Sequence, residues 1–561
     1  MKKSILYIVS LTASLILLVA CSDEFLDTTS KTELNTQTFY KTEADAEMAL
    51  IGCYDGWQCT VSSSNPGFYL TSEILSDQCF GGAGVPDARN FQVIDRFDQA
   101  ESSADQDIFD TDWTNYYAAI YRCNELLAHE GQINWSSDDA KGRILGECRT
   151  IRALTYFDLT RLFGDVPLFT EPVSENRPRM AADTIFKVIV DDLKYASAHI
   201  PADAYPIASR NTNDGRITKY AAEALLARVY LFYSGYYGKE PVGCTKDTAL
   251  IAVEDVITNG GYELEENFAD LWMPACTQSA DAEYSWITTY AGKYCNSDGW
   301  HAGQGEISKE FILNLKFNTT QDYNGNADGN TFQVFLGIRN TNSPPFAVGW
   351  GACSVNPNFV RKFIGDPRLE ASVVDYNKIG FEDSETFEAC LNDTREYTGY
   401  AIKKYAPLCF YDGTRESVGL ELGEKHQNIT YYIDYTVMRY ADVLLMAAEL
   451  GSGNAQTYFN EVRGRAGYTE VKPVSKEAIM QEREIEFAFE GIRYWDLLRQ
   501  GIEVAASTIS ENQNGVAVKS GGTDDVVVTS SGNILEKNGL QQIPNKQITL
   551  SDGVLTPNEG W

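Results

Sequence analysis

The sequence is short of the residues that most enzymes rely on. Four histidines occur in 561 residues (His129, His199, His301 and His426), and no two have the spacing of paired metal ligands. The 12 cysteines include no C-x-x-C pair, so a zinc site has no support. Nucleophile-elbow, zinc-protease and P-loop patterns are missing as well. Positive charge is scarce: 46 lysines and arginines face 79 aspartates and glutamates, for a formal net charge of −33. Such a chain does not suit a phosphate backbone, which excludes nucleic acid as a partner. A neutral ligand or a cationic partner patch suits it better, and no metal or cofactor is expected. Past residue 20, no apolar run is long enough to cross a bilayer.

What is present begins at the N-terminus. Lys2 and Lys3 precede a mostly apolar, uncharged run from Ile5 to Ala20, and Cys21 follows the small Ala20. This order of charge, apolar core, small residue and cysteine resembles a bacterial lipoprotein signal. It implies removal of residues 1–20 and acylation of the Cys21 sulfur, which then sits in membrane lipid. Each buried methylene contributes about 0.8 kcal/mol, so several acyl chains anchor firmly. The polar stretch 21–35 reads as a lipid-anchored tether, and its Ser22-Asp23-Glu24 resembles a surface-export signal. Hydrophobic residues make up 43% of the chain, so residues 36–561 read as a large folded body.

Helical periodicity dominates that body. Thr42-Glu43-Ala44-Asp45 has the form of a capped helix start. Further helices are expected from Asp112, over 143–163, 182–199, 216–234 and 252–259, and later over 439–450, 457–466 and 476–500. Ala221, Ala222, Ala224 and Ala227 are small enough to let helix backbones approach closely. The pattern predicts a mostly α fold, a tetratricopeptide-like helical-repeat scaffold. Two stretches break it. Residues 67–104, with Gly81-Gly82-Ala83-Gly84 and Pro86, read as a long loop within the helical part 36–282. Residues 283–430, rich in glycine, asparagine and aromatics, read as an irregular, loop-rich ligand-binding region containing short strands. Residues 431–561 read as C-terminal helices and a tail.

Several segments carry longer words. They include Arg152-Ala153-Leu154-Thr155-Tyr156-Phe157-Asp158-Leu159, then Phe163-Gly164-Asp165-Val166-Pro167-Leu168, and Gly215-Arg216-Ile217-Thr218-Lys219-Tyr220-Ala221-Ala222. Arg439-Tyr440-Ala441-Asp442-Val443-Leu444-Leu445 and Val462-Arg463-Gly464-Arg465-Ala466-Gly467 follow. The longest runs from Glu482-Arg483-Glu484-Ile485-Glu486-Phe487 to Arg493-Tyr494-Trp495-Asp496-Leu497. Taken in order, these resemble hallmarks of the SusD/RagB family over nearly the whole chain. The ending Asn558-Glu559-Gly560-Trp561 departs from the family's Asn-Pro-Gly-Tyr at two positions. The resemblance implies an outer-membrane, surface-exposed lipoprotein that captures glycans and delivers them to a partner SusC-like TonB-dependent transporter. It implies a binder and not an enzyme. The residues alone leave two other readings open: a helical-repeat scaffold for proteins or peptides, and a surface glycoside hydrolase.

A hydrolase needs two carboxylates facing each other across a sugar cleft. Glu482, Glu486 and Glu490 instead recur at i, i+4 and i+8 beside Arg483 and Arg493, which reads as a structural ion-pair network. Asp322 to Gly329 alternates oxygen ligands as a calcium loop would. Ala327 and Gln333 stand where an EF-hand needs Gly and Glu, so a polar loop is expected there. Aromatic side chains are the better lead. A sugar lays its C–H face on a ring, and by analogy with other aromatic contacts each stack contributes about 0.5–1.5 kcal/mol. Trp113, Trp286 and Trp495 lie in periodic patterns or family words and are assigned to packing. Trp300 and Trp350 lie in aperiodic, glycine-rich sequence and are the expected platforms, with Tyr290, Tyr294, Phe80 and Asp77 as further candidates. Cys123 and Cys148 are assigned to the core, and Cys53 with Cys59 is the nearest pair for a disulfide.

Overall fold

The computed structural model describes residues 39–61, 66–207, 215–276, 308–317, 329–408 and 433–561. Its N-terminal part is a stack of helices. Helix α1 (Glu43–Val61) opens on the expected cap: the Asp45 N–H donates to Thr42 Oγ1 at 3.2 Å, and the Asp45 carboxylate accepts from the Thr42 N–H at 2.8 Å. Helices α2 (Gly67–Ile74) and α3 (Asn90–Arg96) are short. Long helices follow: α4 (Asp110–Ala128), α5 (Asp138–Phe163), α6 (Ala182–His199), α7 (Lys219–Tyr237) and α8 (Lys246–Asn259). Ser137, Thr218 and Thr245 each accept a backbone N–H at the start of α5, α7 and α8. Helix α1 packs on α4 and α5, and from α4 onward each long helix packs on the next, the tetratricopeptide-like arrangement. Ala222, Ala224 and Ala227 are wholly buried at these contacts.

Residues 67–104 are not a long loop. Every residue of α2 is buried, and its Phe68 ring stacks on Trp495 at 5.5 Å. Strand β1 (Cys79–Gly81) then joins a four-stranded antiparallel sheet of order β1-β6-β9-β7, with β6 at Cys353–Val355, β7 at Val373–Asp375 and β9 at Tyr400–Ile402. Strand β2 (Ala83–Gly84) pairs with β8 (Thr394–Arg395). Glycines that read as loop signals are instead close backbone contacts: a Cβ on Gly81 would lie 2.4 Å from the Phe91 carbonyl oxygen.

The remaining described strands are also short: β3 (Phe311–Leu315), β4 (Ile338–Arg339), β5 (Val348–Gly349), β10 (Tyr435–Arg439), β11 (Ala517–Ser520) and β12 (Thr523–Val526), with helix α9 (Phe332–Leu336) among them. Helices α10 (Tyr440–Glu449), α11 (Ala455–Arg465), α12 (Lys476–Glu486) and α13 (Arg493–Leu498) follow, and α14 (Ile502–Gln513), α15 (Ser531–Glu536) and α16 (Asn545–Leu550) lie in the C-terminal segment. The expected single helix over 476–500 is thus two. Phe489 (φ 63°) and Gly491 (φ 74°) turn the chain between them, and the freed Gly491 N–H donates to Glu73 Oε1 at 2.5 Å. Among the described residues, no helix is long and apolar enough to cross a membrane. Cys53 carries a free, buried thiol, so this nearest pair, Cys53 with Cys59, is not bridged.

The carboxylate stripe of α12 is the centre of a buried ion network, as expected. Arg439 donates to Glu490 Oε2 at 2.8 Å, to Glu486 Oε1 at 3.1 Å and to Glu310. Arg368 reaches Glu482 at 2.6 Å, Glu486 at 2.9 Å and Asp366 at 2.9 Å, and Arg465 reaches Glu310 at 2.9 Å and also Glu486. Lys404 reaches Glu490 at 2.6 Å. Burial alone raises a carboxyl pKa, but Arg465, Arg439 and Arg368 hold Glu486 well below the usual range.

Glu73 goes the other way. Burial pushes its carboxyl up to about 8, only partly offset by the Gly491 N–H and Lys404. A raised carboxyl binds its proton more tightly folded than unfolded. Its stabilising effect is complete below the unfolded value near 4.5 and is lost as pH rises through about 8. The melting temperature is therefore expected to fall between pH 5 and 8.5, and to fall less in Glu73→Gln. Parallel slopes for the two proteins would remove Glu73 as the cause.

Candidate functional site

Trp350 is the one expected platform among the described residues. Strands β4 and β5 run parallel, with Arg339 opposite Gly349. They cross so tightly that a Cβ on Gly349 would lie 2.2 Å from the Val334 carbonyl oxygen and 2.5 Å from Gly337 Cα, so the position requires glycine. The next residues satisfy the carbonyls at the end of α9: the Trp350 N–H donates to Val334 O and the Ala352 N–H to Phe335 O, both at 2.7 Å. This fixes the Trp350 backbone. Its ring meets Phe335 at right angles, with centroids 4.6 Å apart, and Phe335 in turn meets Phe91 at 5.9 Å. A perpendicular contact leaves at least one ring face uncovered by Phe335, and Trp350 remains 39% exposed.

Polar groups gather around the neighbouring Arg339, which lies opposite Gly349 in the β4–β5 pair. Arg339 donates from Nε to Asp393 at 2.8 Å and pairs with Asp87 at 3.2 Å. Asp87 also accepts the Gly84 N–H at 2.7 Å, which ties β2 to the loop after it. Arg395 donates to the Val85 carbonyl at 2.6 Å and the Asp87 carbonyl at 3.2 Å. The carboxylates of Asp87 and Asp393 are half-exposed. A stiff exposed ring can take one apolar face of a ligand, and half-exposed carboxylates can hydrogen-bond hydroxyls. Arg339, Asp87 and Asp393 were not among the sequence candidates. They are far apart along the chain, and nothing local marks them.

The other candidates divide. Phe80 is wholly buried against Val516, Val518 and Val527, so it packs and offers no ring to solvent. Asp77 is buried and accepts from Arg493 at 2.8 and 2.9 Å and from Asn512 at 2.7 Å. Burial raises its pKa, and those partners more than reverse the effect, holding it below the ordinary carboxylate range. Its oxygens are committed to joining the early segment to α13. Trp300, Tyr290, Tyr294 and Cys21 lie outside the described residues, as does the whole 322–328 stretch. Gln333, at the last position of the considered calcium loop, is buried and bonds the Tyr405 carbonyl and the Ile433 N–H at 3.3 and 3.0 Å. Trp113 and Trp495 are core residues, as expected.

Known proteins resemble this chain along most of its length. A family model described as "SusD family" matches residues 309–561, and one described as "Starch-binding associating with outer membrane" matches residues 24–231. SusD-like protein P25 of Formosa agariphila is 26% identical over 510 residues, covering 86% of this chain and 87% of that protein. A SusD-like protein of Bacteroides ovatus is 24% identical over 520 residues, covering 88% and 82%. Among solved structures, a laminarin-binding SusD-like protein superposes with a TM-score of 0.68 at 24% identity, over 93% of this chain and 100% of that one. Surface glycan-binding protein A from Bacteroides thetaiotaomicron, in complex with laminarihexaose, gives 0.70 at 21% identity over the same shares. At these identities the superpositions speak for a shared fold.

Proposed function

We propose that this chain, which belongs to the SusD family, captures a glycan at the cell surface and hands it to a partner TonB-dependent transporter. The observation that carries the reading is the exposed Trp350 ring, whose backbone is pinned to the end of α9 and whose edge contact with Phe335 leaves a face open. Rings lose little conformational freedom on binding, so such a platform gives modest, reversible affinity, which suits a ligand that must be released again. The solved relatives that carry laminarin and laminarihexaose in their names support a saccharide as cargo. Cys21 would anchor the body in outer-membrane lipid, and a net charge of −33 favours an uncharged glycan over a polyanion. Against a hydrolase, Glu482, Glu486 and Glu490 are buried and paired with arginines, which leaves them unable to flank a sugar.

Affinity electrophoresis of the mature chain through gels containing laminarin, starch, xylan, galactomannan or pectin tests the reading. Retardation by at least one polysaccharide, with no new reducing ends after long incubation, is expected. Trp350→Ala is expected to weaken that binding by about 2–10-fold, the range one aromatic contact supplies, with an unchanged melting temperature. Undiminished retardation in Trp350→Ala would remove the platform from the proposal. Steady release of reducing sugar would replace the binder with an enzyme.

A further inference from the structure

Helices α1, α4 and α5 meet around a triangle of thiols that glycan capture does not use. Cys53 on α1, Cys123 on α4 and Cys148 on α5 are free and wholly buried. Their Sγ atoms all lie within 4.8 Å of one another. The Cys148 S–H donates to the Cys123 carbonyl oxygen at 3.5 Å. Three different helices supply the three sulfurs, so the triangle is held by the packing of the bundle and not by one flexible loop.

We propose that this triangle is a binding site for one soft monovalent cation of the Cu(I) class, held by three sulfurs. A metal–sulfur bond of about 2.3 Å puts the sulfurs of a planar three-coordinate site about 4 Å apart. The observed triangle, with no sulfur separation above 4.8 Å, is close to that spacing. Zinc is the wrong ion for it. Zinc takes four ligands, and among the described residues the group offers three. Soft thiolates select Cu(I), which accepts three. Binding is a proton exchange with no electron transferred: Cu(I) enters, up to three thiol protons leave to solvent, and three Cu–S bonds replace three S–H bonds. Because the thiolate and not the thiol is the ligand, affinity must rise with pH. Arg152 beside Cys123 and Cys148, and Arg122 towards Cys53, offset part of the negative charge left on the sulfurs.

The test uses the mature chain under anaerobic, reducing conditions, titrated with Cu(I) against the chelator bicinchoninate. The titration is done on the folded protein and repeated during refolding, so that slow entry into a buried site does not mask binding. One Cu(I) per chain is expected, with X-ray absorption reporting three sulfur neighbours. Cys53→Ala, Cys123→Ala and Cys148→Ala are each expected to weaken retention at least 100-fold, while Cys390→Ala leaves it unchanged. Should an alanine variant fail to fold, the sulfur count and the rise of affinity with pH in the unsubstituted chain decide the matter. Loss of the ion to the chelator in both procedures would overturn the proposal. So would retention that survives all three substitutions.

Discussion

Arg439→Met is expected to destabilise the chain by about 3–5 kcal/mol, a large share of a typical domain's stability. The guanidinium is 1% exposed and donates to Glu310, Glu486 and Glu490, while its face lies 4.8 Å from the Phe487 ring. Methionine fills the volume but leaves three buried carboxylates short of a partner, and an uncompensated buried charge costs far more than the pair itself contributes. Arg465, Arg368 and Lys404 keep some compensation, which sets the upper end of the range. The matched control is Lys309→Met, whose partner Glu263 is 3.1 Å away at an exposed site, for which less than about 1 kcal/mol is expected. Denaturant midpoints measure both. Equal small losses would mean that the network is not what holds β3, β10 and α12 together.

Cys21→Ala is expected to abolish glycan uptake by cells while leaving polysaccharide binding by the purified chain unchanged. The reason is geometric. Without acyl chains the body has no purchase on the membrane, and each lost methylene removes about 0.8 kcal/mol of anchoring. A soluble carrier must then find the transporter by diffusion and does not benefit from the high local concentration a tether supplies. Uptake at the normal rate in the variant would contradict the tether's role, and weakened binding in vitro would show that Cys21 acts on the fold.

The helical scaffold was largely legible in the sequence because its signals are local. Helix α6 runs over Ala182–His199 as periodicity indicated, and α5 ends at Phe163 before Gly164. The Thr42 cap and the small alanines of α7 are likewise local words. What was not legible depends on distant partners. Periodicity runs through residues 476–500, yet the chain turns at Phe489 and Gly491, where the turn is received by Glu73, a residue 418 positions away. The glycines of 81–84 look like loop residues in isolation, but they are where β1 and β2 press against Phe91, Gly351 and Arg339. The same distinction applies to the site. Trp350 was visible as a tryptophan in aperiodic sequence, whereas Asp87, Arg339 and Asp393 become a group only when β4 lies beside the early segment. Phe80 and Asp77 were drawn toward the surface by the loop reading, and the burial of α2 and β1 took them inside.

The central claim is that this chain binds a glycan on the Trp350 face and does not cut it. Calorimetric titration of the mature chain with laminarihexaose, maltohexaose, cellohexaose, xylohexaose and mannohexaose tests it most directly. The account predicts saturable binding of at least one of these, recovery of the oligosaccharide intact, and a weaker isotherm for Trp350→Ala with the same heat-unfolding profile. Silence across the panel and the polysaccharide gels together, or an isotherm that Trp350→Ala leaves unmoved, would contradict it.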